Sequence, residues 1–193
     1  KDAELYYAGL LYYLKGDLNR SEQLFEEYET KFPGREIYNN LGIIQYHRAL
    51  YRFPKSMVSS IRSFTLDFHS LTDKIVLRGN SSEEYLEYLQ KARKNFELSL
   101  SLDNNYKLAH FNLANIYLDL GQIVKAKEHL SRARELNFSH NKCDILQSSI
   151  LIEQGDYIEA KKILMKSKKS AESYFNRALV ELNLGMNFEK YFI

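Results

Sequence analysis

Residues Leu113 to Ala133 read LANIYLDLGQIVKAKEHLSRA, and the fold of the chain can be worked out from this stretch. Before Gly121, the apolar residues Leu113, Tyr117 and Leu120 recur at steps of four and three. After it, Ala126, Leu130 and Ala133 do the same. Such spacing puts each trio on one face of an α-helix, and glycine is the residue that lets a helix end in a left-handed turn. Two short helices hinged at Gly121 are therefore expected. The motif returns: GQIVKA at 121–126 is followed 34 residues later by GDYIEA at 155–160, and Gly16-Asp17-Leu18 and Gly185-Met186-Asn187 repeat the same turn. The unit is a helical hairpin.

Counting 34 positions per unit aligns the small residues. Position 8 is Gly9, Gly42, Ala114, Ser148 and Ala178; position 20 is Ser21, Ala92, Ala126 and Ala160; position 24 is Phe25, Phe96, Leu130 and Leu164. Pro33 closes the first unit, where it cannot continue a helix. In this register the chain resembles the tetratricopeptide repeat (TPR) family over nearly its whole length. The resemblance implies an all-α, right-handed superhelix of four to five hairpins, the last truncated. It also implies that the first helix of each pair lines the concave side, since one hairpin cannot bury its apolar face without a neighbour. First helices are expected near 2–15, 35–50, 105–120, 139–154 and 170–184, and second helices near 18–31, 82–102, 122–136 and 156–168. The repeats then run near 2–34, 35–50 plus 82–104, 105–138, 139–169 and 170–193, as a single array over 1–193.

Two departures stand out. Tyr38-Asn39-Asn40-Leu41-Gly42 opens the second repeat, yet Ala92 and Phe96 arrive 38 residues late. The repeat is split by an insertion at 51–81. Within it, Ile61, Phe64, Phe68, Leu71 and Ile75 form one stripe of an amphipathic helix, although Phe64, Leu66 and Phe68 also alternate as a short strand does. An apolar stripe of this kind is expected to pack on the array or on another subunit. Ser81 and Glu84 form a capping box ahead of the next helix. In the fifth repeat, Arg177 and Glu181 stand at positions 7 and 11, where apolar side chains are usual, and its second helix stops soon after Phe188. The termini look cut from something larger.

Composition narrows the function. Eight Gly and two Pro are under half of average usage, which disfavours loop-rich and glycine-cradle enzymes. With 27 basic and 25 acidic residues the net charge is +2, so no global field draws the chain to nucleic acid or an anionic membrane. The single Cys143 excludes an internal disulfide and fits a reducing, cytoplasmic setting. No apolar run is long enough to span a bilayer.

Catalytic patterns are missing as well. His47, His69, His110, His129 and His140 include no pair three or four apart on one helix, and His140 with Cys143 lacks the second ligand pair a zinc site needs. No metal, no cofactor and no catalytic residues are expected. His110, at position 4, reads as a packing wedge. The acidic clusters at Glu26, Glu27 and Glu29 and at Glu83, Glu84 and Glu87 read as solvated helix faces beside Lys31 and Lys91.

Binding residues are more promising. Steps of three and four gather Tyr6, Leu10 and Tyr13 from repeat 1, then Asn39, Asn40, Ile43 and Tyr46 from repeat 2, on the concave face. Repeat 3 adds Phe111, Asn112, Asn115 and Leu118; repeats 4 and 5 add Ile145, Ser149, Ile152, Phe175, Asn176, Leu179 and Leu182. Asn40, Asn112 and Asn176 all occupy position 6. Family resemblance implies that an asparagine there bonds the backbone of an extended peptide, for which an amide offers donor and acceptor together. The three are expected at equivalent depths, facing solvent. Position 5 is Tyr6, Asn39, Phe111, Ile145 and Phe175, not the lysine of the family's clamp for C-terminal carboxylates. A second patch joins Arg48, Arg52, Lys55 and Arg62 in a stretch from Ile37 to Leu66 with no acidic residue, interleaved with Tyr46, Tyr51 and Phe53. The outer lysines Lys161, Lys162, Lys166, Lys168 and Lys169 read as solubility devices.

The leading expectation is a non-enzymatic interaction module holding a peptide or partner segment in the concave groove. Two alternatives remain: a scaffold or regulatory segment of a larger protein, of the kind fused to peptidase domains in bacteria, and an RNA-binding helical repeat resting on the Arg and aromatic stretch.

Overall fold

In this computed structural model, residues 2–51 and 83–186 are described. They form nine α-helices in chain order: α1 Asp2–Leu14, α2 Leu18–Glu29, α3 Arg35–Tyr51, α4 Glu83–Leu102, α5 Lys107–Asp119, α6 Ile123–Glu135, α7 His140–Glu153, α8 Tyr157–Lys166 and α9 Ala171–Asn183. Each odd helix packs on the even helix that follows, each even helix on the next odd one, and α3, α5, α7 and α9 also touch in succession. The result is an all-α superhelix of hairpins. The helix bounds fall within three residues of those expected. The insertion stripe, Ser81 of the capping box and the start of a second helix after α9 lie outside the described residues.

Turn chemistry explains the hairpins. Gly16, Gly121, Gly155 and Gly185 all have φ between 68° and 80°, the left-handed region that penalises a Cβ. Behind each glycine the next N–H reaches back to close the helix, as Asp17 does to Tyr12 O at 2.9 Å and Asp156 to Leu151 O at 2.9 Å. The same two aspartates then cap the following helix, accepting from Arg20 N at 3.1 Å and Glu159 N at 3.2 Å. Gln122, in the equivalent place, makes no side-chain cap. Between repeats 3 and 4, Asn137 takes a left-handed φ of 56°.

The register positions meet inside each hairpin. Phe25, Phe96, Leu130 and Leu164 are at most 1% exposed, and Ala92, Ala126, Ala160 and Ser21 are fully buried. Volume is traded across the pair. Where position 24 is Phe, position 8 is Gly: a Cβ on Gly9 would lie 3.1 Å from the Phe25 ring, and one on Gly42 would lie 2.6 Å from the Phe96 ring. Where position 24 is Leu, Ala114 or Ser148 fits. The split repeat closes by the same rule. Although more than thirty residues separate α3 from α4, Phe96 seats on Gly42, Ser99 Oγ donates to Arg35 O at 2.8 Å, and Arg35 pairs with Asp103.

Candidate partner-binding surface

The first helices stand side by side, so residues at equivalent positions form rows that run across repeats. Asn40 Nδ2 donates to Tyr6 Oη at 3.5 Å, and Asn112 Nδ2 donates to Asn39 Oδ1 at 3.0 Å. Further along each helix the Tyr13 ring stacks on His47, with centroids 5.4 Å apart and the hydroxyl 3.2 Å from Nδ1. Tyr46 Oη donates to Asp119 Oδ2 at 2.7 Å. Burial, then the Asp119 carboxylate, hold the Tyr46 phenol well above its usual range, so it stays a neutral donor. Every one of these bonds links one repeat to the next. The surface is therefore pre-arranged rather than loose.

Position in the row sets how much of each side chain is left for a partner. Tyr6, Tyr13, Asn40, Ile43, Tyr46, Asn112 and Phe175 are half-buried. Asn39, Phe111, Asn115 and Leu118 are buried; Phe111 stacks on Phe138 at 4.5 Å, and Asn115 donates to Phe111 O at 3.0 Å. The expectation that Asn40, Asn112 and Asn176 face solvent at equal depth does not hold. Asn176 is fully buried, its amide 3.4 Å from Ser148 Oγ and 3.3 Å from Ser149 Oγ. Those two hydroxyls already donate to Ile145 O, so their lone pairs point at the amide and draw it inward. Position 6 of repeat 4 is Leu146, also buried. The accessible position-6 amides are thus Asn40 and Asn112 of repeats 2 and 3, and their row reaches repeat 1 through the Tyr6 hydroxyl.

Sequence spacing alone does not single out His47 and Asp119 as members of this face, yet both help to build it. The available signal is their shared position 13, one residue beyond Tyr46 and Leu118 on the same helical stripe.

The basic stretch is not presented as a patch where it is described. Arg48 Nη2 pairs with Glu22 at 2.6 Å and donates to Asn19 Oδ1 at 2.7 Å, while its guanidinium lies 5.9 Å from the Tyr88 ring centre. Arg52, Lys55 and Arg62 lie outside the described residues.

His110 is buried, as its wedge position implies, but it is not alone. Its Nε2 lies 2.9 Å from Asn104 O, to which it donates, leaving Nδ1 to accept from His129 Nδ1 at 3.0 Å. Burial, with His110 and Lys125 nearby, pushes His129 down to about 4. Sequence spacing could not reveal a pair 19 residues apart on two helices. Among the described residues, no group of three or more His, Cys, Asp or Glu is gathered as a metal site. Cys143 is fully buried, and desolvation raises its thiol to about 11, so it is a poor nucleophile at neutral pH. None of the described helices is long and apolar enough to cross a membrane.

Comparisons with known proteins agree with this architecture. Two tetratricopeptide-repeat family models match residues 108–140 and 145–174. A thermophilic TPR protein from Thermus thermophilus superposes with a TM-score of 0.66 at 14% identity, over 96% of this chain and 84% of that one. A monomeric mutant of IFIT1 with Gppp-AAAA gives 0.61 at 16% identity, over 97% of this chain but 45% of that one. The human IFIT1 dimer with m7Gppp-AAAA gives 0.54 at 16%, over 97% and 44%. This chain spans under half the length of the IFIT1 chains, and at such identities the likeness shows the fold. No curated protein matches the sequence.

Proposed function

We propose that this chain, which belongs to the tetratricopeptide-repeat family, is a protein-interaction module that holds an extended partner segment on the first-helix face of repeats 1 to 3. The observation that carries this reading is the row Tyr6, Asn40, Asn39, Asn112. Among the described residues, Asn40 and Asn112 each make one side-chain hydrogen bond, so each keeps a carbonyl and a second N–H for a peptide backbone. Tyr6, Ile43 and Tyr46 beside them supply apolar contact. Repeats 4 and 5 serve as support, since Leu146 and Asn176 are closed off.

Nucleic acid is disfavoured as the occupant. The IFIT1 structures hold capped or uncapped A-tracts, but here the one described arginine of the basic stretch is committed to Glu22 and Asn19. Phosphate contacts need cations free to replace counterions.

The test is a selection of extended peptides from a displayed library, followed by titration of the best binder. Asn40→Ala and Asn112→Ala should each weaken binding by about 0.5 to 1.5 kcal/mol, the worth of a typical hydrogen bond, and Asn176→Ala should leave affinity alone. A binder indifferent to both Asn40→Ala and Asn112→Ala would overturn the assignment.

A further inference from the structure

Repeat 3 departs from its neighbours at two register positions. Positions 4 and 23 are Leu5 and Leu24 in repeat 1, Tyr38 and Asn95 in repeat 2, and Asp144 and Ile163 in repeat 4, but His110 and His129 in repeat 3. Two leucines serve in repeat 1, so packing alone does not call for imidazoles here. The rings turn their Nδ1 atoms towards each other at 3.0 Å. His110 is held in that pose by its Nε2, which donates to Asn104 O at 2.9 Å, and His129 by the Tyr117 ring stacked on it with centroids 5.3 Å apart. A histidine whose far N–H is anchored on a backbone carbonyl has the arrangement of a metal ligand, its tautomer and lone pair fixed in advance.

We propose that His110 Nδ1 and His129 Nδ1 together bind one divalent late-transition-metal ion, of the Zn²⁺, Cu²⁺ or Ni²⁺ class that imidazole takes, across α5 and α6. The spacing supports this. Metal–nitrogen bonds of about 2.0 to 2.1 Å set two nitrogens about 2.9 Å apart in a square-planar cis pair and about 3.3 to 3.4 Å apart in a tetrahedron. The observed 3.0 Å lies between the two, so either geometry asks for no more than a tilt of the rings. On binding, the ion takes the place of the proton that the rings share: His129 loses its Nδ1 proton to solvent and gains one at Nε2, and both rings stay neutral. Among the described residues no third His, Cys, Asp or Glu joins the pair, so water fills the remaining positions from the side of the half-buried His129. Two protein ligands in place of four make the affinity moderate. The bound ion fastens α6 to α5 in the middle hairpin of the array.

Zn²⁺ alone, titrated into the whole chain in a weakly coordinating buffer, is the probe. Calorimetry should show one site with a dissociation constant on the order of 10 μM. His129→Gln should weaken it more than about tenfold, whereas His140→Gln, which alters a histidine outside the pair, should leave it unchanged. Because a variant can lose binding through a loosened fold, the parent chain supplies a second readout. In nitrogen-15 spectra of its imidazoles at neutral pH, Zn²⁺ should move the His129 proton from Nδ1 to Nε2 and shift the Nδ1 resonances of both His110 and His129. The proposal is overturned by an absence of binding up to about 1 mM Zn²⁺, by an affinity indifferent to His129→Gln, or by a His129 that keeps its Nδ1 proton when Zn²⁺ is bound.

Discussion

At the scale of single residues, the clearest design is the exchange of volume between positions 8 and 24. Gly42 sits so close to Phe96 that a methyl group would enter the ring, with 2.6 Å to the nearest atom. Gly42→Ala should therefore destabilise by about 1 to 2 kcal/mol: overpacking costs about 1 to 3, and the better helix propensity of alanine returns up to about 1. Adding Phe96→Leu should recover part of the loss, because Leu130 and Leu164 already coexist with Ala114 and Ser148. Chemical denaturation of the two single variants and the double variant checks the coupling. Gly9→Ala, with 3.1 Å of room, should be milder. Asn137 offers the reverse case: its φ of 56° favours glycine, and Asn137→Gly should raise stability by a few tenths of a kcal/mol to about 1. The small residues at position 8 and the large ones at position 24 are legible in the register, while their meeting across each hairpin is seen in the packing. What register does not give is depth. Asn176 shares position 6 with Asn40 and Asn112, but Ser148 and Ser149 on the neighbouring helix pull it inside.

At the scale of helices and their junctions, two elements invite intervention. Asp17 and Asp156 cap α2 and α8, but Gln122 leaves the first turn of α6 without a side-chain acceptor. Gln122→Asp should stabilise the hairpin α5–α6 by about 1 kcal/mol, visible as a raised melting temperature. The second element is α9. Arg177 and Glu181 look out of place in the sequence because their partners sit on another helix: Arg177 Nε donates to Leu164 O at 3.0 Å, and Glu181 pairs with Lys161 at 3.2 Å. Repeat 5 thus adds these polar links to an apolar junction of Ile152, Leu164, Leu179 and Val180. Glu181 is buried while Lys161 is partly exposed, so breaking this pair singly costs less than breaking a fully buried one, and Lys161→Met should loosen α9 by about 1 kcal/mol, read as faster amide exchange confined to α9. Replacing both partners, Lys161→Met with Glu181→Leu, should give back most of that protection.

At the scale of the whole molecule, the array is held by three successive clusters rather than one central core, and the largest joins repeats 2 to 4 around Phe96, Leu113, Leu130 and Leu146. Stability in such a stack is a sum over units and junctions, so a change in the middle hairpin reaches both ends. His129 provides that change when pH falls. Its folded value of about 4 lies below the ordinary 6.5, so between these values the unfolded chain takes up a proton that the folded chain refuses. Stability then falls as pH drops from about 6.5 towards 4, with a slope of up to about 1.4 kcal/mol per unit, reduced because the ring is partly open to solvent. Above 6.5 both states leave His129 neutral and this contribution is flat; below 4 both carry the proton and the slope vanishes. His129→Gln keeps a side chain able to donate to His110 Nδ1 but cannot titrate. Urea melts of the parent at pH 7 and 5 should therefore differ by more than those of the variant, by about 1 kcal/mol. The excess loss should appear as a lower midpoint for the whole transition, since unfastening α6 from α5 removes the face on which repeats 2 and 4 both pack.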